Sequence, residues 1–143
     1  MPTTLTSEAT TVWTGDLKSG QGTVSLDSSH AAEFPVTWQA RSVGTPNTTN
    51  PEELLGAAHA ACFSMALANG LSAGGHTPDS IQTTAAVTFE AGVGVVGSHL
   101  LVSAKIPGLS EDEFAVYAED AKANCPVSKA LAGIPITIEA ELA

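Results

Sequence analysis

The 143 residues predict an α+β fold, and three observations predict it. Apolar and polar residues alternate with a period of two in segments near both ends. One long apolar segment, from Asn50 to about Leu71, has helical spacing and helical punctuation instead. The order strands, helix, strands, helices, strand is that of an α+β chain, and the length suits one domain over residues 1–143, since domains cluster at about 100 to 150 residues.

The elements follow in order. From Thr11 to Phe34, Gly15, Gly20 and Gly22 stand among Val, Trp and Thr residues, which reads as hairpin material. Val36, Trp38 and Ala40 alternate with Thr37, Gln39 and Arg41, so a strand is expected from about Phe34 to Arg41, with Arg41 on its polar face. A loop through Gly44, Pro46 and Asn47 leads to Asn50-Pro51-Glu52-Glu53, a helix start with Asn50 as cap, Pro51 in the first turn and carboxylates at the positive end of the dipole. That helix should run to Ala68 or Leu71, ending at Gly70, Gly74 and Gly75. Leu55, Ala58, Cys62, Met65 and Ala66 fall at helical spacing, and Ala57, Ala60 and Ala61 extend the apolar surface nearly all round, the mark of a buried central helix. Strands are expected over Ile81 to Glu90 and Ser98 to Ile106, joined by the glycine-rich turn Ala91 to Gly97. Ser110 and Glu113 form a capping-box pattern opening a helix to about Ala123. Asn124-Cys125-Pro126 breaks it, a short helix Pro126 to Leu131 follows, and Ile134, Ile136 and Ile138 alternate in a closing strand.

Composition narrows the function. Apolar residues make up 43% and charged residues 14%, a globular balance. A formal charge of −10 repels phosphate backbones and anionic lipid surfaces, so neither nucleic acid nor membrane is an expected partner. The opening MPTTLTSEATTVW is polar and acidic, unlike a secretory signal, and no run long enough to span a bilayer is expected. The reading is a cytoplasmic protein, where two cysteines are normally kept as thiols and a pair points to redox chemistry or coincidence more than to a structural staple.

Cys62 lies mid-helix in HAACFSMAL. A helical cysteine is often just a small core hydrophobe. Nucleophilic chemistry requires the thiolate, and a free thiol with a pKa near 8.5 is only slightly ionised at neutral pH, so a nearby cation has to help. Arg41, the sole arginine, is the candidate: its guanidinium stays charged in a poorly solvated site and its fixed fork of donors can hold a thiolate and a peroxide oxygen together. The alternative is that it solvates a strand face. Glu52 or Glu53 could orient the guanidinium, or could only complement the helix dipole. Cys125, where one helix ends and Pro126 starts another, is placed to condense with a sulfenic acid on Cys62, although spacing allows the reverse assignment. His59, three residues before Cys62, makes a His/Cys metal pair conceivable but weak, and His30, His76 and His99 sit in surface-like contexts. No phosphate-binding loop, dinucleotide fingerprint or nucleophile elbow occurs, so no cofactor and no metal are expected.

Three segments carry a family resemblance. NPEELLGAAHAACFSMAL (Asn50 to Leu67) resembles the signature of the OsmC/Ohr hydroperoxide reductases, AKANCPVSKAL (Ala121 to Leu131) resembles their second-cysteine motif, and WTGDLKSGQGTVS (Trp13 to Ser25) is similar to the N-terminal hairpin of the OsmC branch. The resemblance implies an OsmC-like fold of antiparallel sheets around a central buried helix, in an intertwined homodimer with two active sites at the subunit interface. It implies a thiol peroxidase acting on organic hydroperoxides in stress defence, recycled by a dithiol such as a lipoyl group. Residue by residue, it makes Cys62 the peroxidatic cysteine, Cys125 the resolving cysteine, Glu52 the catalytic glutamate and Arg41 the catalytic arginine. Ser42 stands where the OsmC branch usually has an aromatic residue, and the Thr45 to Thr49 loop departs from the usual pattern. The competing class is a binding or structural protein on the same scaffold, with inert buried cysteines.

Overall fold

The computed structural model describes residues 3–143. Its contacts separate into two units, one ending at Pro51 and the other spanning Glu52–Ala143, and each is built on its own three-stranded sheet.

In the first unit β1 (Ala9–Thr14), β2 (Gln21–Leu26) and β3 (Glu33–Val36) pair antiparallel in chain order. Gly22 lies inside β2, not in the turn, opposite Trp13 and Val36. A Cβ there would come within 2.8 Å of the Trp13 ring and 2.9 Å of the Val36 side chain, so only glycine lets these two side chains cover the strand.

The expected strand through Arg41 is not formed. The chain leaves β3 at Val36 and turns into a short helix, α1 (Trp38–Ser42). The reason is local: Thr37 is extended and its hydroxyl accepts the Ala40 N–H at 3.1 Å, an N-cap, which competes with the alternation that suggested a strand. Ala40 is then buried and its carbonyl accepts the Asn50 side-chain amide at 2.8 Å. Arg41 therefore stands in the last turn of a helix, not on a strand face.

In the second unit β4 (Ser80–Glu90) and β5 (Gly94–Lys105) form a long antiparallel hairpin with a register shift between Thr88 and Phe89. β6 (Ile136–Leu142) adds to β5 in parallel. The antiparallel expectation thus holds for two pairs in the first sheet and one in the second, and fails at β6. The return through α3 (Glu111–Asn124) and α4 (Pro126–Ala130) is a crossover, which is how a parallel strand is reached. Ile134 precedes β6 in a turn. The capping box at Ser110 and Glu113 is present in both directions.

The long helix α2 (Pro51–Ala73) starts at Pro51 as expected and runs past Gly70, two residues beyond Leu71. Its stop comes at Gly75, with a φ of 84°, where the His76 N–H returns to the Leu71 carbonyl. It is not buried all round. Glu52, Gly56, His59, Phe63, Leu67 and Leu71 are buried, at spacings of four, three, four, four and four, while Met65 is 72% exposed. The inward stripe therefore runs one residue beyond the expected face of Leu55, Ala58, Cys62 and Met65. Phe63, Leu67 and Leu71 join Leu100, Val102 and Ala104 of β5 and Phe114 and Ala121 of α3 in one core, each large side chain contributing about 1.5–3 kcal/mol of burial. By length and composition α2 could cross a bilayer, with a mean hydropathy of 1.4 over 18 residues, contrary to the expectation that no such run exists. Its inner stripe nonetheless carries a buried glutamate and a buried histidine.

Gly56 sets how closely α2 approaches the sheet, since a Cβ there would lie 2.8 Å from the Ala85 carbonyl oxygen in β4. Alanine is the better helix former by about 1 kcal/mol, yet Gly56→Ala should lower stability by about 1–3 kcal/mol because strand backbone cannot step aside. A urea midpoint equal to or above that of the parent would contradict this packing.

Candidate active site

The site is built where α2 meets the junction of α3 and α4. Cys125 occupies that junction as the C-cap of one helix and the N-cap of the next, with φ −56° and ψ 123°. Its N–H closes α3 on the Ala121 carbonyl at 2.9 Å, and its carbonyl accepts the Lys129 N–H of α4 at 3.1 Å. Pro126, without an N–H to satisfy, opens α4. Cys125 is fully buried, whereas Cys62, one residue before Phe63 on the flank of α2, is partly exposed.

Both cysteines are free thiols, Cys62 packs against the core that contains Cys125, and the two are near enough to shift each other's ionisation. Burial pushes the Cys62 thiol up, and donating to Cys125 pushes it further, against a smaller pull from the Val127 N–H. Burial also pushes Cys125 up, but the Cys62 thiol, the N–H and hydroxyl of Ser128 and the N–H of Val127 together hold it below its ordinary value. Of the two, Cys125 is therefore the more readily ionised. Access runs the other way, because only Cys62 is open to a reactant from outside.

His59, one turn before Cys62 and 0% exposed, braces this arrangement. Its Nδ1 meets the Ser98 hydroxyl of β5 at 2.7 Å and its Nε2 meets the Ser128 hydroxyl of α4 at 2.9 Å. Both serines are buried. With both ring nitrogens on hydroxyls, His59 serves as a crosslink and not as half of a His/Cys metal pair. Burial lowers its pKa, so the ring is neutral. Among the described residues no group of three or more histidine, cysteine or acidic side chains is gathered as for a metal ion.

Two sequence comparisons bear on this site. The sequence model of the family described as OsmC-like protein matches residues 44–139. A peroxiredoxin OsmC of Escherichia coli strain K12 is 44% identical over 133 residues, covering 91% of this chain and 92% of its own, and one of Shigella flexneri is similar to the same extent. The chain belongs to the OsmC-like protein family. Solved structures agree with that. An organic hydroperoxide resistance protein from Elizabethkingia anophelis, 30% identical, superposes with a TM-score of 0.71 over 100% of this chain and 99% of its own. The organic hydroperoxide resistance protein OhrB of Bacillus subtilis, 25% identical, superposes with a TM-score of 0.68 over 97% and 98%.

Of the four residues that the OsmC-like resemblance marks, the structure brings Cys62 and Cys125 together. Glu52 lies at the start of the same helix as Cys62, 5% exposed, and ten residues away, a rise of about 15 Å. Glu53 is exposed. Arg41 belongs to the first unit, in α1. Sequence reasoning missed Ser98 and Ser128. Ser128 stands three residues after Cys125, where a side chain reaches back to its N-cap residue, and Ser98 shares the inward face of β5 with Leu100; both signals exist, but a lone serine among apolar neighbours is common.

Burial of His59 makes stability depend on pH. The unfolded ring titrates near 6.5, the folded ring below it, so the unfolded chain binds the extra proton and stability is lost as pH falls below about 6.5, by at most about 1.4 kcal/mol per pH unit from this one group. Denaturant titrations between pH 7 and pH 5 should show that loss, and His59→Gln should flatten it. Equal slopes in the two proteins would contradict a buried neutral His59.

Proposed function

We infer that Cys62 and Cys125 are the redox-active pair of this peroxidase. The observation that carries the inference is the pair of neighbouring free thiols, Cys62 accessible and Cys125 buried in the core against which Cys62 packs. Cys62 attacks the terminal oxygen of a hydroperoxide, the O–O bond breaks, alcohol leaves and a sulfenic acid remains on Cys62. Cys125 then attacks that sulfur, an S–S bond forms, and hydroxide leaves as water after taking up a proton. A dithiol such as a lipoyl group reopens the disulfide. Organic hydroperoxides are the better substrates and hydrogen peroxide the poorer, because Cys62, like Ala66 and Val127, packs against the apolar core, a setting that rewards burial of an alkyl group at about 25 cal/mol per Å².

The paired thiols alone do not make a good nucleophile, since burial and the neighbouring sulfur both raise the Cys62 pKa. A cation must offset them, and Arg41 is the residue for it, oriented by Glu52. The continuity of α2 from Pro51 to Ala73 supports a composite site: a glutamate side chain cannot reach along about 15 Å of its own helix to Cys62, so Glu52 acts at the Cys62 site of a second copy. The apolar outer side of α2, with Ala57, Ala61 and the exposed Met65, is the kind of surface that an obligate homodimer covers. The whole chain then works as one domain, a reading supported by a family match that runs across the boundary between its two units. Its charge of −10 and its free thiols accord with a cytoplasmic protein that binds neither membrane nor nucleic acid.

Stopped-flow peroxide consumption separates the roles. Cys62→Ser should abolish oxidation, and Cys125→Ser should permit one oxidation event but no disulfide; rapid oxidation of Cys62→Ser with none in Cys125→Ser reverses the assignment. Subunit exchange tests the composite site. Mixing Glu52→Ala with Cys62→Ser should yield hybrid dimers with one intact site and regained activity. Activity that stays at the level of the separate variants after verified exchange would refute the shared site, as would a monomer in sedimentation at working concentration.

A further inference from the structure

Ser98, His59 and Ser128 lie between β5, α2 and α4, all nine-tenths or more buried. None of them touches the partly exposed side of Cys62, and the peroxide step has no use for them. Three polar groups are costly to bury unless each finds a partner, and here they are joined end to end, Ser98 Oγ to His59 Nδ1 at 2.7 Å and His59 Nε2 to Ser128 Oγ at 2.9 Å. Ser128 in turn stands three residues after Cys125, in the first turn of the helix that Cys125 caps, and its hydroxyl is among the groups that lower the Cys125 pKa.

The direction of the chain follows from its ends. A neutral imidazole has one donor and one acceptor nitrogen. If the Ser128 hydroxyl gives its proton to sulfur, its oxygen must accept, so His59 Nε2 carries the proton, Nδ1 is bare, and the Ser98 hydroxyl donates to it. We propose that Ser98, His59 and Ser128 are positioning residues, a one-way hydrogen-bond chain that aims a hydroxyl proton at Cys125 and makes Cys125 the sulfur that leaves when a dithiol reductant attacks Cys62. The proposal rests on the reading of Cys62 and Cys125 as the redox pair.

A reductant thiolate attacks the accessible Cys62 sulfur, a new S–S bond forms to the reductant, the Cys62–Cys125 bond breaks and its electron pair stays on Cys125 as thiolate. The second thiol of the reductant, deprotonated, attacks the mixed disulfide and releases Cys62 as thiolate, which takes up a proton. The dithiol has been oxidised and the protein disulfide reduced. Thiol–disulfide exchange is faster when the departing sulfur is the better-stabilised anion, and the hydroxyl held by His59 stabilises it at the moment of departure. The burial of Cys125 enforces the same polarity by shielding it from attack. The titratable groups near Cys125 are Cys62, which shifts its ionisation directly, and His59, which holds the Ser128 hydroxyl.

Two readouts test this on the full-length protein. Nitrogen NMR of the His59 ring should find the proton on Nε2 with Nδ1 bare; the opposite tautomer overturns the proposal, since Ser128 would then donate to the ring and not to sulfur. In rapid mixing of the oxidised protein with dihydrolipoamide, Ser128→Ala and His59→Leu should slow reduction of the disulfide about tenfold more than they slow its formation, the loss of one hydrogen bond to a charged group. Ser128→Thr and His59→Gln, which keep a donor at the same place, should restore the rate. In the Cys62→Ser background, Ser128→Ala should raise the Cys125 pKa by about one unit, read by thiolate ultraviolet absorbance. Reduction and formation slowed equally, with no change in that pKa, would leave the three residues a structural crosslink and overturn the proposal. Failure of the parent protein to form a Cys62–Cys125 disulfide at all would instead overturn the redox-pair reading beneath it.

Discussion

A buried imidazole that spends both nitrogens on hydroxyls holds three elements at fixed distance, and in this chain those elements are α2, β5 and α4. The constraint is stricter than apolar packing. Leucines in a core can slide and repack at modest cost, but a polar group pulled from its partner in a dry interior loses the full value of its hydrogen bond. Because Cys62 is one turn from His59 on α2, and Cys125 is one turn from Ser128 at the head of α4, a crosslink between His59 and Ser128 also sets sulfur opposite sulfur. The juxtaposition of the two thiols is in this sense a by-product of a contact that holds the fold.

The pair has a built-in asymmetry. Cys125 sits where two helices abut, with N–H and hydroxyl groups that lower its pKa; Cys62 sits on the flank of a long helix, has its pKa raised by burial and is the sulfur that a reactant can reach. Stabilisation and access are divided between two residues. In the proposed reaction such a division suits a resolving thiol that has only one partner to attack, and it leaves the proposed nucleophile in need of a cation.

Much of this was legible in the residues alone. Pro51 with Glu52 and Glu53 announced α2, Ser110 with Glu113 announced α3, and Cys125-Pro126 announced the break before α4, because caps and prolines act through local backbone chemistry that needs no tertiary context. What failed was context-dependent. Val36, Trp38 and Ala40 alternate as a strand would, yet the Thr37 hydroxyl captures the Ala40 N–H and starts a helix. The all-round apolar character of α2 suggested full burial, but alanines are tolerated on either side of a helix, and only Phe63, Leu67 and Leu71 reveal which side is in. The parallel pairing of β6 depends on where α3 and α4 deliver the chain, which no periodicity encodes. His59 was visible only as a weak metal candidate, because its partners lie 39 and 69 residues away.

If Cys62 and Cys125 act as one redox unit, intact-mass and thiol analysis after a single equivalent of an organic hydroperoxide will register it. Both thiols should disappear together, with the loss of two hydrogens and no added oxygen, and dihydrolipoamide should restore both. Retention of two free thiols after exposure to peroxide, or a stable oxygen adduct on one cysteine with the other still titratable, would contradict it.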